Sequence, residues 1–175
     1  MNKIILAISA AVIFGLGIYL FFVSGQNPAE PTQEQVTAEN TPGVRTVSLF
    51  YYDPTRDQDS TGNILCTERG LVSVSREIAS KTPIQATIEL LLSGDLTAEE
   101  RANGITTEYP LPGVSLSSIA LTEEGVLRIA LIDPKHRTGG GSCRVAVLWS
   151  QIRATALQFP EVKEVTFQPE ELFQP

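Results

Sequence analysis

The sequence predicts an α+β domain. The expected form is a two-layer sandwich, with helices packed on a mostly antiparallel or mixed sheet in the order ββα(α)ββαβ, preceded by one transmembrane helix. Three observations carry this. Segments that alternate at period two are interleaved with segments that repeat every three to four residues. Runs of strands and helices in that order suit a sheet covered by helices. And an uninterrupted apolar run, Ile4 to Val23, opens the chain.

That run is long enough to cross a bilayer core as a helix, at about 1.5 Å per residue. It exceeds the apolar stretch of an ordinary signal peptide, so an uncleaved anchor over residues 1–25 is favoured. A cleaved signal stays open, because Val23-Ser24-Gly25 offers small residues to a peptidase. Lys3 precedes the run, and Glu30, Glu34 and Glu39 follow it before any further Lys or Arg. The positive side belongs in the cytoplasm, so the body is expected outside it, on a single-pass protein of the bacterial cytoplasmic membrane. Residues 26–44 are rich in Gln, Glu, Thr, Asn and Pro and read as a disordered stalk. The globular domain is then 45–175.

Thr46 to Tyr52 is rich in β-formers and reads as a strand, with Leu71 to Ser75 as its partner across a long polar turn. Thr82-Pro83-Ile84-Gln85 has the residues of a capped helix start, and Ile84, Ile88, Leu91 and Leu92 share a face until Gly94. Thr97-Ala98-Glu99-Glu100 repeats the capping pattern and opens a short helix closed by Gly104. Val114 to Leu121 and Gly125 to Ile132 read as a hairpin. The last long helix opens at Gly141 or Ser142, with Ser142 as the expected cap. It carries an apolar stripe of Val145, Leu148, Trp149, Ile152, Ala156 and Phe159, and stops at Pro160. Val162 to Phe167 is a final strand.

The whole chain carries a net charge of -7. Its body holds 12 Lys and Arg against 17 Asp and Glu. That balance argues against nucleic acid as a partner and against adhesion to anionic lipid. Its only histidine, His136, lies in a basic loop, and no nucleophile–base–acid set surrounds it in sequence. One histidine and two distant cysteines do not make a zinc site, and no cofactor is expected. Outside the cytoplasm, Cys66 and Cys143 are most simply a disulfide.

Three further groups have residue types that could bind or react. Lys135-His136-Arg137 with Gly139-Gly140-Gly141-Ser142 could receive an anion on the free amides of a helix start. The plainer reading is a flexible approach to the helix. Asp57, Asp59, Thr61 and Glu68 fall at calcium-loop spacing, with Gly62 at the turn. The flanks are strand-like, so an acidic hairpin turn is favoured. Glu99 with Glu100 or Glu108 could form the carboxylate pair of a cell-wall hydrolase, but a capping turn explains Glu99 and Glu100 without chemistry.

The body resembles the GerMN domain family. The resemblance rests on Leu71 to Ile78, Ile88 to Gly94 followed by Thr97 to Arg101, Tyr109-Pro110-Leu111-Pro112-Gly113-Val114, and Gly140 through Gln151-Ile152 to Val165. The Gly-Ser-Cys-Arg-Val at the last helix marks a cysteine-containing branch. Two departures are Asp95-Leu96 after Gly94 and a final strand ending in Gln168-Pro169-Glu170-Glu171. The resemblance implies a small exported α/β domain, tethered at the membrane, with a non-enzymatic role in envelope assemblies and no catalytic residues. The expected partners are envelope proteins. The alternative is a regulatory module for cell-wall fragments or another acidic small molecule.

Overall fold

The computed structural model describes residues 43–175. The predicted anchor and nearly all of the predicted stalk lie outside them. Among the described residues, no helix is long and apolar enough to cross a membrane.

Eight main elements follow one another: β1 (Val44–Tyr52), β2 (Leu71–Ala79), α1 (Pro83–Leu92), α2 (Ala98–Ala102), β3 (Ser115–Leu121), β4 (Val126–Ile132), α3 (Ser142–Leu157) and β5 (Glu164–Gln168). Short 3-10 turns at Pro54–Arg56 and Glu68–Gly70 bracket the loop between β1 and β2. The fold is α+β with two sheets and three helices. β1 and β2 form an antiparallel pair from Val44↔Ala79 to Tyr52↔Leu71. β3, β4 and β5 form a mixed sheet, with β3 antiparallel and β5 parallel to β4.

A single sheet was expected; the chain builds two. The reason lies at the outer edge of β1. Gln158, the C-cap of α3, accepts from the Ser48 amide (2.8 Å) and donates to the Ser48 carbonyl (2.7 Å). Thr155 Oγ1 accepts from the Phe50 amide at 3.0 Å. Helix side chains thus take up the hydrogen-bonding groups that another strand would use, and a covered edge is a closed one.

The core gathers around α3, which packs on β1, α1 and β5. Val145, Leu148, Ile152, Ala156 and Phe159 are buried as the stripe requires, while Trp149 is only half-buried. They meet Leu49 and Tyr51 of β1, Ile88 and Leu91 of α1, and Leu127 and Ile129 of β4. Side chains of Leu127, Ile129 and Leu131 alternate with more exposed ones, as a strand with one covered face demands.

The helix starts differ in detail from expectation. The capping box at Thr97 and Glu100 is formed in both directions. Thr82 makes no side-chain cap; it sits against Ser80, and Gln85 reaches Glu89 instead. Gly141 is the cap position of α3, with Ser142 already helical and no side-chain cap. β2 runs four residues beyond its predicted end, to Ala79, and β5 covers Glu164–Gln168 where Val162 to Phe167 was expected.

Candidate functional site

The long loop after β1 is organised around one carboxylate. Asp57 is fully buried. It accepts from the Tyr52 hydroxyl (2.7 Å), the Thr67 amide (2.5 Å) and the Thr67 hydroxyl (2.6 Å), with Arg69 Nε at 3.4 Å. Burial works to raise its pKa; the Thr67 and Tyr52 hydrogen bonds outweigh that and hold it at about 2. The same site pushes the Tyr52 phenol up to about 12, through burial first and the hydrogen bond to Asp57 second. Gly70 lies flat against the Tyr52 ring, where a Cβ would collide. Farther out, Asp59 closes a turn by accepting from Thr61 and Asn63, and these hydrogen bonds lower its pKa.

The calcium-spaced residues therefore have separate tasks. Asp57 points inward, Asp59 and Thr61 face each other across the turn, and Glu68 pairs with Arg153 at 2.9 Å. Among the described residues, no group of three or more His, Cys, Asp or Glu is placed to hold a metal ion.

The basic and glycine-rich loop is shaped by Asp133. Its carboxylate accepts from the Arg137 amide and from the amide and hydroxyl of Thr138, each at 2.8 Å. Lys135, His136 and Arg137 are exposed, and His136 takes a positive φ of 49°. From the first turn of α3, Arg144 donates to the carbonyls of Arg137 and Gly139, and its Nε to Glu108 at 2.7 Å. The loop thus turns carbonyl oxygens toward a cation.

A disulfide joins Cys66 in the first loop to Cys143 at the start of α3, with Cα atoms 5.2 Å apart and a sequence separation of 77. Two loops that the sequence separates become neighbours. Between them lies a groove of about 510 Å³, walled by Tyr52, Pro54, Ile64, the disulfide, Val147 and Leu148. Gln151 sits at its floor, fully buried, with Oε1 accepting from Thr107 at 2.9 Å. Sequence reading singled out the two cysteines, Gly141 and both loops. It missed Tyr52, Thr107, Val147 and Gln151 as lining residues. The available signal was Gln151 itself, a polar residue beside Ile152 on a helix that faces the core.

Lys135, His136 and Arg137 do not line this groove. His136 borders a separate cavity of about 480 Å³ with Asp133, Thr138 and the C-terminal segment. A larger cavity, about 730 Å³, lies beside β5 and includes Arg128, Trp149, Phe167 and Phe173. Of the carboxylates that could serve hydrolysis, Glu100 and Glu108 are engaged elsewhere. Glu100 is held by Arg76 at 2.7 and 2.9 Å and by its capping box, and Arg76 first of all keeps its pKa at about 2. Glu108 pairs with Arg144. A carboxyl group with so low a pKa is not a proton donor near neutral pH.

The model of the Germane family, described as sporulation and spore germination, matches residues 48–171. No curated protein matches the chain. Among solved structures, the tandem GerMN domains of the sporulation protein GerM from Bacillus subtilis are similar in fold, with a TM-score of 0.50 and 18% identity. That likeness covers 75% of this chain and 42% of the other, so the chain spans less than half the length of that structure.

Proposed function

The chain belongs to the Germane family of GerMN-type domains, and on that footing we propose that it is a non-enzymatic binding and scaffold module of the cell envelope. In this reading the apolar run from Ile4 to Val23 anchors it in the bacterial cytoplasmic membrane. Residues 26–44 act as a flexible tether, and the domain stands outside the cytoplasm. Tethering raises its local concentration near membrane-bound partners, so modest affinity suffices.

One observation carries the proposal: the Cys66–Cys143 bridge fixes two loops side by side around a groove with apolar walls. A disulfide suits an oxidising compartment outside the cytoplasm. Loops held on a rigid scaffold are where recognition commonly resides. The committed roles of Glu100 and Glu108 support a binding role over carboxylate catalysis.

The test is cross-linking of tagged full-length protein in its own cells, followed by capture and mass spectrometry. The expected result is a reproducible envelope protein that disappears when residues 45–175 are exchanged for an unrelated domain. Good recovery of the bait with no such protein would overturn the scaffold reading. It would turn attention to cell-wall fragments as the ligand.

A further inference from the structure

The segment that follows β5, residues 169–174, runs back over Thr138 and Gly139. Pro169, Glu170, Glu171 and Gln174 are exposed, while Leu172 and Phe173 are buried, at 8% and 7% exposure. The Phe173 ring tilts against that of Phe167 in β5, with centroids 4.6 Å apart. Beyond these two side chains, little ties the segment down. The Leu172 amide donates to the Pro169 carbonyl and Gln174 Nε2 to the Glu170 carbonyl, each at 3.2 Å, and both bonds are internal to it. Among the described residues, one hydrogen bond joins its main chain to the rest of the domain. The Phe173 amide donates to Thr138 Oγ1 at 3.5 Å, beyond the usual length.

Two more observations set this segment apart from the core. Phe173 has φ +57°, in the left-handed region that a bulky side chain rarely enters. Such a conformation persists only while its surroundings impose it. Here the surroundings are incomplete. Leu172 and Gln174 line both the cavity of about 730 Å³ beside β5 and the cavity of about 480 Å³ beside His136. The segment is a wall between two voids, and a side chain that borders a void lacks partner atoms on that side. The core of α3 differs on each count. Leu148, Ile152 and Ala156 sit in a continuous helix with 1% exposure or none.

A segment with few anchoring contacts, one long outward hydrogen bond and a strained residue opens at a lower free energy than the body that carries it. We infer that residues 169–174 form a strap that lifts as a unit while the rest of the domain stays folded. Lifting withdraws the shared wall, so the two cavities become one trough. It also uncovers Trp149 and Phe167, which line the larger cavity together with Leu172 and Phe173. Closed, the strap shields these rings from water; open, it bares them. The device does not depend on the binding-module role.

Trp149 is the chain's only tryptophan, so its fluorescence reports on the strap. Full-length protein in detergent micelles serves for two measurements. The first is amide hydrogen exchange followed by NMR. Relative to intrinsic rates, the Phe173 amide should exchange at least about a hundredfold faster than the Ile152 amide, which is freed only when the whole domain unfolds. Equal protection of the two would overturn the inference, because the segment would then open only with the core. The second is acrylamide quenching of Trp149 in the parent and in the Leu172→Ser, Phe173→Ser double variant. The variant should keep the parent's far-UV circular-dichroism spectrum and be quenched about twofold more strongly, as a shifted local opening requires. Loss of the folded spectrum would make the segment part of the core and sink the strap. A folded variant with unchanged quenching would sink it as well, since Trp149 would not lie beneath.

Discussion

Two of the carboxylates whose pKa the fold lowers, Glu100 and Asp57, contribute to the domain's response to acid. Glu100 is held by Arg76, with only 19% of its side chain exposed. Its folded pKa of about 2 lies below the ordinary value of 4.5, and that of Asp57, also about 2, lies below 3.8. A lowered folded pKa means that the folded state favours the charged form. The stabilisation is complete above pH 4.5, falls as pH drops toward about 2, and is absent below both values. Chemical unfolding across this window should show stability declining. Arg76→Ala should cost about 1–3 kcal/mol at neutral pH and make the decline shallower, because Glu100 then loses the largest cause of its lowered pKa and keeps only its Thr97 hydrogen bonds. An unchanged slope in that variant would refute the role given to the pair. The sequence allowed Glu100 to be placed as a capping residue, since the box is a local pattern that runs only from Thr97 to Glu100. It gave no hint of Arg76, because that contact spans 24 residues and depends on how β2 meets α2.

At the scale of elements, the boundaries are decided by close approach. Gly94 ends the first helical segment with φ +68°, and a Cβ there would strike the Tyr109 carbonyl. Gly94→Ala should therefore lose about 2–4 kcal/mol, from the left-handed backbone and the collision together. A change under 1 kcal/mol in denaturant unfolding would contradict this. The edge of β1 makes a second prediction. Gln158→Ala removes the acceptor and donor that close Ser48, at a cost of about 1–3 kcal/mol. It also uncovers a strand edge, so the variant should associate at concentrations where the parent does not, as light scattering would detect. Helices and strands were legible because each shows its period over a few neighbouring residues. The division into two sheets was not, because it depends on side chains of α3 reaching a strand more than a hundred positions earlier.

For the whole molecule, the bridge between Cys66 and Cys143 is the longest covalent constraint. Closing a loop across 77 residues removes unfolded-state entropy worth about 4 kcal/mol as an upper figure. Reduction, or the Cys66→Ser, Cys143→Ser double variant, should lower Tm by several degrees with little change in far-UV circular dichroism. The Asp57 network should hold the loop core together after the bridge is cut. Full loss of structure on reduction would show the bridge to be a condition of folding and not an addition to it.

The sequence by itself determined the order of elements, the helix at Pro83, the capping box at Thr97, the hairpin of β3 and β4, and the apolar stripe of α3. It also carried the family, through motifs spread in order along the body. These are properties of local periodicity, turn chemistry and spacing, and each is complete within about a helix length. Tertiary structure alone decided that Asp57 lies under Tyr52, that Gln151 faces a groove, and that Gly139 and Gly140 turn their loop toward Arg144. Burial and charge pairing are fixed by what comes from elsewhere in the chain. No local pattern contains the distance between residues that meet only after the sheets and helices have packed.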